Sequence, residues 1–525
     1  MKGKLSMIAL LIVIKALNAS LASGSTPPLR QRIEKRFKIA RPKADSERYV
    51  YIPFEVPANA VRLNIEIIYD RAGGANALDL GLFDARSTGE AVDQKGFRGW
   101  SGGRRSSISI ARASATPGYL PGPLFAGTWR VILGLYRLAP NGVEVTLRIE
   151  IEKEKEEQSS IISRHALRSE NSPTYSAVAM SVARAPRRTS FPPSSSSRSA
   201  KERDSPIGGW LRGDLHLHTV HSDGDLTVAE LVERARAARL DFIAITDHNT
   251  PSHHAEIDAL LAQGKISPLI IRGEEVTTYG GHFNVWGLSS GEWVDFRLTP
   301  RDPAKLSRTI RHARSLGAIA SINHPFAPCD GCAWEYAESE KLFDAIEVWN
   351  GAWDDSDERA LKLWDEILRR GGRIAAVGSS DAHRVTDRLG QPSTYVRART
   401  RSEGAILTAI RTGRAYVADL ASDFRLAFSL RVAGAKKLYG IGDFVPLRAP
   451  QEIELSVKVA SAPSGAIVKI ISNGKVIEEF APDGRERIFK LRSENAYYRL
   501  ELRDHEGRML AFTNPIYVGS KERTR

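Results

Sequence analysis

Apolar and polar residues alternate with period two between about Arg48 and Ile151, as in Val61-Arg62-Leu63-Asn64-Ile65-Glu66-Ile67 and Val143-Glu144-Val145-Thr146-Leu147-Arg148-Ile149. Successive side chains of a strand point to opposite faces, so these runs, punctuated by Gly, Pro and Asn, predict an antiparallel β-sandwich over 46–152. The pattern then breaks. Residues 153–209 pass from Lys153-Glu154-Lys155-Glu156-Glu157 into a Ser-, Arg- and Pro-rich stretch that can bury little, which predicts a disordered basic linker. From Trp210 apolar runs alternate with amphipathic ones. Strand candidates end at Leu215, Ile245, Ile271, Gly287, Ile322, Val348 and Val377, with helix candidates Val228–Ala238, Pro303–Leu316 and Glu358–Arg370 between them. Val228, Leu231, Val232 and Ala235 fall on one helical face. This β-then-α rhythm predicts parallel strands with right-handed crossovers, and about seven such units fit a β/α barrel over 210–421 better than a short open sheet. Period two returns over 422–519, as in Phe428-Ser429-Leu430-Arg431-Val432, and predicts a second, smaller β-sandwich.

The first 25 residues bear on where the chain acts. Lys2 and Lys4 precede the apolar run Met7–Ile14, and small residues follow around Ala19–Ser25, in the order of a secretory signal peptide. Lys15 shortens the apolar core, and an uncleaved amphipathic start is the alternative. The run is shorter than the ~20 residues a bilayer span needs, and no other long apolar segment follows. A mature chain without a transmembrane segment, secreted or in the cell envelope, is therefore expected. The formal charge of +13 would suggest nucleic acid or an anionic surface, but much of it sits in Arg184, Arg187, Arg188, Arg198, Lys201, Arg203 and the tail from Lys521 to Arg525. Both stretches have unfolded character, so nucleic acid is not an expected partner. Cys329 and Cys332, in the form C-D-G-C, cannot fill a four-ligand zinc site alone and fit a local disulfide in an oxidising compartment.

The chemistry-bearing residues stand at the strand ends of the central segment. They occur as Asp214-Leu215-His216-Leu217-His218 with His221-Ser222-Asp223-Gly224, Asp247-His248-Asn249, Glu274-Glu275, Gly281-His282, Asn323-His324-Pro325 and Asp381-Ala382-His383. H-x-H alone is a weak signal: with 12 histidines in 525 residues, about 0.3 such pairs arise by chance. The repetition carries more, because parallel barrels build their sites at the C-terminal ends of strands. Residues i and i+2 of a strand share a face, so His216 with His218, and Asp381 with His383, could each grip one ion. Imidazoles with carboxylates suit Zn²⁺, Mn²⁺ or Fe.

Taken as an ordered set, these blocks resemble the PHP (polymerase and histidinol phosphatase) domain, and more narrowly CehA/McbA-type metallohydrolases, over about Trp210 to Val417. The resemblance implies a distorted seven-stranded β/α barrel, here flanked by the two β-sandwiches, with a two- or three-metal centre. It implies that His216, His218, Glu275 and Asp381 hold one cation, that Glu275 bridges to a second held with His282 and His324, and that Asp223, His248 and His383 hold a third. The G-x-E pattern favours Glu275 over Glu274. His282 is the least secure, because it opens its strand instead of ending it.

Three divalent ions against Asp223, Glu275 and Asp381 leave a positive remainder of three charges, and two ions leave one. Such a site attracts a small anionic ester and stabilises charge on its transition state, so the expected activity is a phosphoesterase using a metal-bound hydroxide. No protein base is then required. Carboxylic esters, amides or carbamates are the alternative substrates on the same centre, and a non-catalytic cell-surface binding protein is the alternative outside enzymology. His221, Asn249 and Arg384 are the candidate substrate contacts. Asp214 and Asp247 could orient ligand imidazoles, His253 and His254 are expected at the surface, and Trp349 and Asn350 could line the pocket. The two sandwiches are candidates to touch polysaccharide or a cell surface.

Overall fold

Period-two burial folds the N-terminal segment into two facing four-stranded sheets. The computed structural model describes residues 29–42, 48–87, 94–154, 209–264, 267–419 and 424–520. The expected signal segment, nearly all of the expected linker and the basic tail lie outside the described residues. The strands are β1 (Leu29–Ile39), β2 (Tyr49–Val56), β3 (Ala60–Tyr69), β4 (Ala77–Phe83), β5 (Phe97–Trp100), β6 (Ser107–Ala111), β7 (Gly127–Arg137) and β8 (Val143–Lys153). They order as β1-β8-β3-β6 and β2-β7-β4-β5. Leu63, Ile65, Leu147 and Ile149 of the first sheet share one core with Leu80, Leu82, Trp129 and Val131 of the second. The unit starts before residue 46, because β1 pairs with β8 from Leu29 opposite Lys153 to Ile39 opposite Val143. β1 is an edge strand, and charges such as Arg30, Arg32, Lys35, Arg36 and Lys38 both protect such an edge and dilute its apolar alternation.

The central segment supplies β9 (Leu211–Asp214), β10 (Phe242–Ile245), β11 (Leu269–Thr278), β12 (Gly281–Trp286), β13 (Ile319–Ile322), β14 (Ala345–Asn350) and β15 (Ala375–Ser379), side by side in chain order. Helices α1 (Val228–Ala237), α2 (His254–Ala262), α3 (Pro303–Ser315) and α4 (Asp355–Arg369) are interleaved with them. A capping box of Thr227 and Glu230 starts α1. The expectation of uniformly parallel strands needs correction at β12, which is antiparallel to both neighbours. Only Tyr279 and Gly280 separate β11 from β12, and a parallel crossover needs a dozen or more residues. Beyond the ends of β9 and β15, Leu217 and Ala382 form a parallel bridge that draws the first and last of these strands together. β16 (Ser393–Val396) lies antiparallel beside β9, and after α5 (Glu403–Arg411) comes β17 (Ala415–Ala418).

The last segment is joined edge to edge with this sheet, because β17 pairs with Met509–Thr513. A second sheet, built from Leu438–Gly440, Arg425–Val432, Gln451–Ala460 and Arg487–Ser493, encloses a core with it. Buried Asn514 fastens the junction, accepting from the Ala376 N–H and donating to the Ala376 carbonyl, both at 2.8 Å. The N-terminal sandwich packs on the central α/β segment through a shared apolar cluster in which Phe97 stacks on Trp293 at 3.9 Å between centroids. Among the described residues, no helix is long and apolar enough to cross a membrane.

Candidate metal centre

Extended backbone just past β9 sends the rings of His216 and His218 to one side, 5.0 Å apart. His216 Nε2 stands 3.3 Å from Glu275 Oε2 and 3.3 Å from Asp381 Oδ1. His218 Nε2 stands 3.5 Å and 3.0 Å from the same two oxygens. Glu275, well along β11, turns its other oxygen to His282 Nδ1 and His324 Nε2, each at 3.2 Å. A further group forms where Asp223 Oδ1 meets His248 Nε2 at 3.4 Å and His383 Nε2 at 3.3 Å, with His218 alongside. The nine expected ligands thus fall into overlapping clusters that share Glu275 and His218. The direction of β12 explains His282: in an antiparallel strand the beginning lies at the mouth where its parallel neighbours end.

These spacings can be compared with coordination geometry. Two ligands about 2.1 Å from one cation lie about 3.0 Å apart along an octahedral edge and about 3.4 Å along a tetrahedral one. The contacts above, from 3.0 to 3.5 Å, match those edges. His216 Nε2, His218 Nε2, Asp223 Oδ1 and Asp381 Oδ1 are buried without hydrogen-bond partners, an arrangement that is costly unless a cation meets them. The residues present therefore fit divalent metal ions.

Several groups fix the aim of the ligands. The Nδ1 of His383 lies 2.7 Å from the Asp381 carbonyl, to which it donates, and this turns its Nε2 towards Asp223. His216 Nδ1 lies 3.2 Å from Glu347 Oε1. Glu347 is absent from the ligand set expected from sequence. It also accepts from the His324 N–H and from Asn350 Nδ2, each at 3.0 Å. A charge inside the otherwise apolar run Ala345-Ile346-Glu347-Val348-Trp349 was the signal that could have found it, since a buried carboxylate needs a partner. Asn350 reaches the centre as well, donating to Asp381 Oδ2 at 3.2 Å.

Charge is tightly balanced here. Burial pushes Glu275 up, but His216, His248 and His282 outweigh it and hold its carboxyl well below the ordinary range. Asp381 behaves likewise, with burial opposed first by His216. Burial, then His383 and His248, push His218 down to about 4, so it presents a neutral imidazole. Asp381 and His324 adopt left-handed φ of 51° and 23°, strain of the kind that concentrates at working sites.

Asp214 and Asp247 hold the loops that carry ligands, and Asp247 also reaches one ligand imidazole through the Ser222 hydroxyl, which lies 3.4 Å from His218 Nδ1. Asp214 accepts from the Ser380 N–H at 3.1 Å, the Ser380 hydroxyl at 2.5 Å and the Gly390 N–H at 2.7 Å, which anchors the approach to Asp381. Asp247 accepts from the Thr219 N–H, the Thr219 hydroxyl and the Ser222 hydroxyl at 2.6 to 2.7 Å, which anchors the loop of Asp223. Gly224 allows that loop to close, because a Cβ there would stand 2.5 Å from the His218 backbone.

The three candidate substrate contacts are engaged elsewhere. His221 Nδ1 meets Ser252 Oγ at 2.8 Å and its Nε2 meets Glu256 Oε1 at 3.0 Å. Asn249 spends its amide on the backbone of Thr277, at 2.8 and 2.9 Å. Arg384, at the rim, donates to Asp225 Oδ1 at 3.1 Å, and Arg104 of the N-terminal sandwich approaches the same oxygen at 3.8 Å. His253 and His254 are buried, contrary to the surface placement expected: His253 Nδ1 lies 3.2 Å from Asp247, and His254 Nδ1 accepts from the Gly291 N–H at 3.2 Å. Burial pushes His253 down to about 4. Trp349 is buried, its Nε1 donating to the Gly351 carbonyl. Cys329 and Cys332 are joined as a disulfide.

Residues 214–325 match the family model for the PHP domain. Over 114 residues the chain is 35% identical to an uncharacterized protein of Methanocaldococcus jannaschii, covering 22% of this chain and 45% of that protein. Over 103 residues it is 33% identical to a 3′,5′-nucleoside bisphosphate phosphatase of Chromobacterium violaceum, covering 19% and 33% respectively. The chain thus spans less than half the length of these relatives. A solved two-domain protein of Bacteroides vulgatus, described as containing a predicted PHP-like metal-dependent phosphoesterase, is 18% identical with a TM-score of 0.35, covering 59% of this chain and 96% of that one.

Proposed function

We propose that this chain is a divalent-metal-dependent phosphoesterase of the CehA/McbA type, built on a distorted seven-stranded PHP barrel. The observation that carries the reading is the sharing of Glu275: its two oxygens face different groups of imidazoles, which is what a carboxylate bridging two cations requires. Zn, Mn or Fe ions bound there would polarise a phosphoryl oxygen and lower the pKa of a coordinated water towards ~7. The chain's own residues do the positioning. Glu347 and the Asp381 carbonyl turn the Nε2 atoms of His216 and His383 inward, and Asp214 and Asp247 fix the loops that deliver Asp381 and Asp223. Asn350 holds Asp381 by its second oxygen. The N-terminal sandwich shields one side of the mouth, where Arg105 donates to the Val220 carbonyl at 2.7 Å and Gly118 donates to Ser252 at 3.1 Å.

Glu347 changes the charge balance. Asp223, Glu275, Asp381 and Glu347 bring four negative charges, so three divalent cations leave two positive charges and two cations leave none. Full loading is therefore the state that attracts a small anionic ester. The leader-like start supports action in the cell envelope or outside the cell.

Purified protein reloaded with Mn²⁺ or Zn²⁺ should cleave aryl phosphate mono- or diesters, and Asp381→Ala should abolish the turnover. Phosphatase activity that survives both the substitution and chelation overturns the proposal. Faster turnover of aryl acetates or carbamates by the same preparation transfers the site to carbonyl substrates.

A further inference from the structure

Asp223 is held differently from the other members of its cluster. His248 pairs with Glu275 in a parallel bridge, and His383 follows the bridge between Leu217 and Ala382, whereas Asp223 stands on a turn. What touches that turn therefore sets where the carboxylate points. From the side of the central segment, Asp247 holds Thr219 and Ser222, and the Asp225 N–H donates to the His383 carbonyl at 2.7 Å. From the other side comes the N-terminal sandwich.

Arg105, just before β6, donates to the Val220 carbonyl at 2.7 Å. Gly118, between β6 and β7, lies against the backbone of His221. A Cβ on it would stand 2.9 Å from the His221 carbonyl oxygen and 2.8 Å from that of Trp100, and its φ of 97° also favours glycine. Both backbone groups of Gly118 are used. Its N–H donates to Ser252 Oγ at 3.1 Å, and its carbonyl accepts from the Thr250 hydroxyl at 2.9 Å and the Trp100 N–H at 3.0 Å. Ser252 Oγ in turn lies 2.8 Å from His221 Nδ1, and the same ring reaches Glu256 Oε1 through Nε2 at 3.0 Å. One residue of the sandwich thus ties the turn of Asp223 to the segment that follows His248. His221, Thr250 and Ser252 are buried, so breaking a link leaves a polar group unpaired away from water.

We propose that the Gly118 turn is a positioning element for the third cation, the one at Asp223, His248 and His383, and that it acts through Ser252 and His221. The inference rests on reading the centre as that of a metal-dependent phosphoesterase. Asp223 belongs to this cluster alone, so the sandwich governs whether the centre holds two cations or three. By the charge balance above, that is the difference between a neutral centre and one that attracts a small anionic ester.

Two measurements on the full chain test this, and neither is turnover. Equilibrium dialysis against Mn²⁺ counts the cations and gives the affinity of each. Hydrogen exchange of residues 219–225 in the chelated protein reports on the turn with no cation present. The parent should take up three cations. In Gly118→Ala the third should bind about tenfold or more weakly while the first two keep parental affinity, and 219–225 should exchange faster. Ser252→Ala removes the hydroxyl at the junction without straining the backbone and should move both readouts the same way. It decides the matter if Gly118→Ala does not fold. Parental affinity for the third cation in either folded variant overturns the proposal, whatever the exchange rate, and leaves the phosphoesterase reading standing. A matched fall in all three affinities, which marks general damage, overturns it too, as does a parent that saturates at two cations. A parent that takes up none removes the metal reading itself, and this proposal with it.

Discussion

Replacing Glu347 by Gln is the most informative single change to the centre's support. The carboxylate holds three donors at once: the ring of His216 at Nδ1, the His324 N–H and the Asn350 side-chain amide. A glutamine of the same shape has one acceptor oxygen and turns an NH₂ towards at least one of those donors. If it faces His216, the ring gains by moving its proton to Nε2, the atom 3.3 Å from Glu275 and Asp381 that should carry the lone pair. Loss of a carboxylate behind a ligand imidazole weakens metal binding by about 10–100-fold, or about 1.4–2.7 kcal/mol. Competition for Mn²⁺ or Zn²⁺ against a chromophoric chelator measures this directly, and a urea midpoint on the same sample checks folding. An affinity equal to the parent's, in a variant that is equally stable, would refute the assignment of Glu347 to orienting His216.

Other consequences can be checked separately. Burial raises Asp79 to about 6 against the pull of its Tyr279 hydrogen bond, so the stability it contributes is full below its unfolded value near 3.8 and is lost as pH rises through about 6. Asp79→Asn should then match the parent in urea at about pH 3, below both values, and exceed it at pH 7.5 by no more than about 3 kcal/mol; identical curves at both values would contradict this. Chelation should lower the unfolding midpoint and re-addition of the metal should restore it, because ions that bind only the folded chain stabilise it by mass action. Thr227→Ala, which removes the side-chain cap of α1, should cost about 1 kcal/mol of stability and leave turnover per folded molecule unchanged.

Much of the centre was legible because its residues obey local rules. His216 and His218 are two apart in extended backbone, and the carboxylates and imidazoles of later strands sit at ends that a β/α rhythm places together. What escaped depends on chain direction and on partners distant in sequence. His282 looked insecure until β12 proved antiparallel, a reversal imposed by the two-residue turn after Thr278. Glu347 is a lone acid in an apolar strand, and only folding brings it to His216, 131 residues away. His253 and His254 follow Pro251-Ser252 and have the look of a surface helix start, but the first turn of α2 faces inward to Asp247 and Gly291. β1 carries too many charges to declare itself a strand, because as an edge its exposed face stays in water. Asn249 and His221 sit beside expected ligands, yet Thr277, Ser252 and Glu256 occupy them.

Anomalous diffraction from Mn²⁺-soaked crystals most directly tests whether the imidazoles and carboxylates converge on shared cations. Two or three peaks are predicted, one bounded by His216 Nε2, His218 Nε2 and Asp381 Oδ1, and the next on the far side of Glu275 against His282 and His324. An ordered centre with these side chains in place and no peak among them would contradict the account.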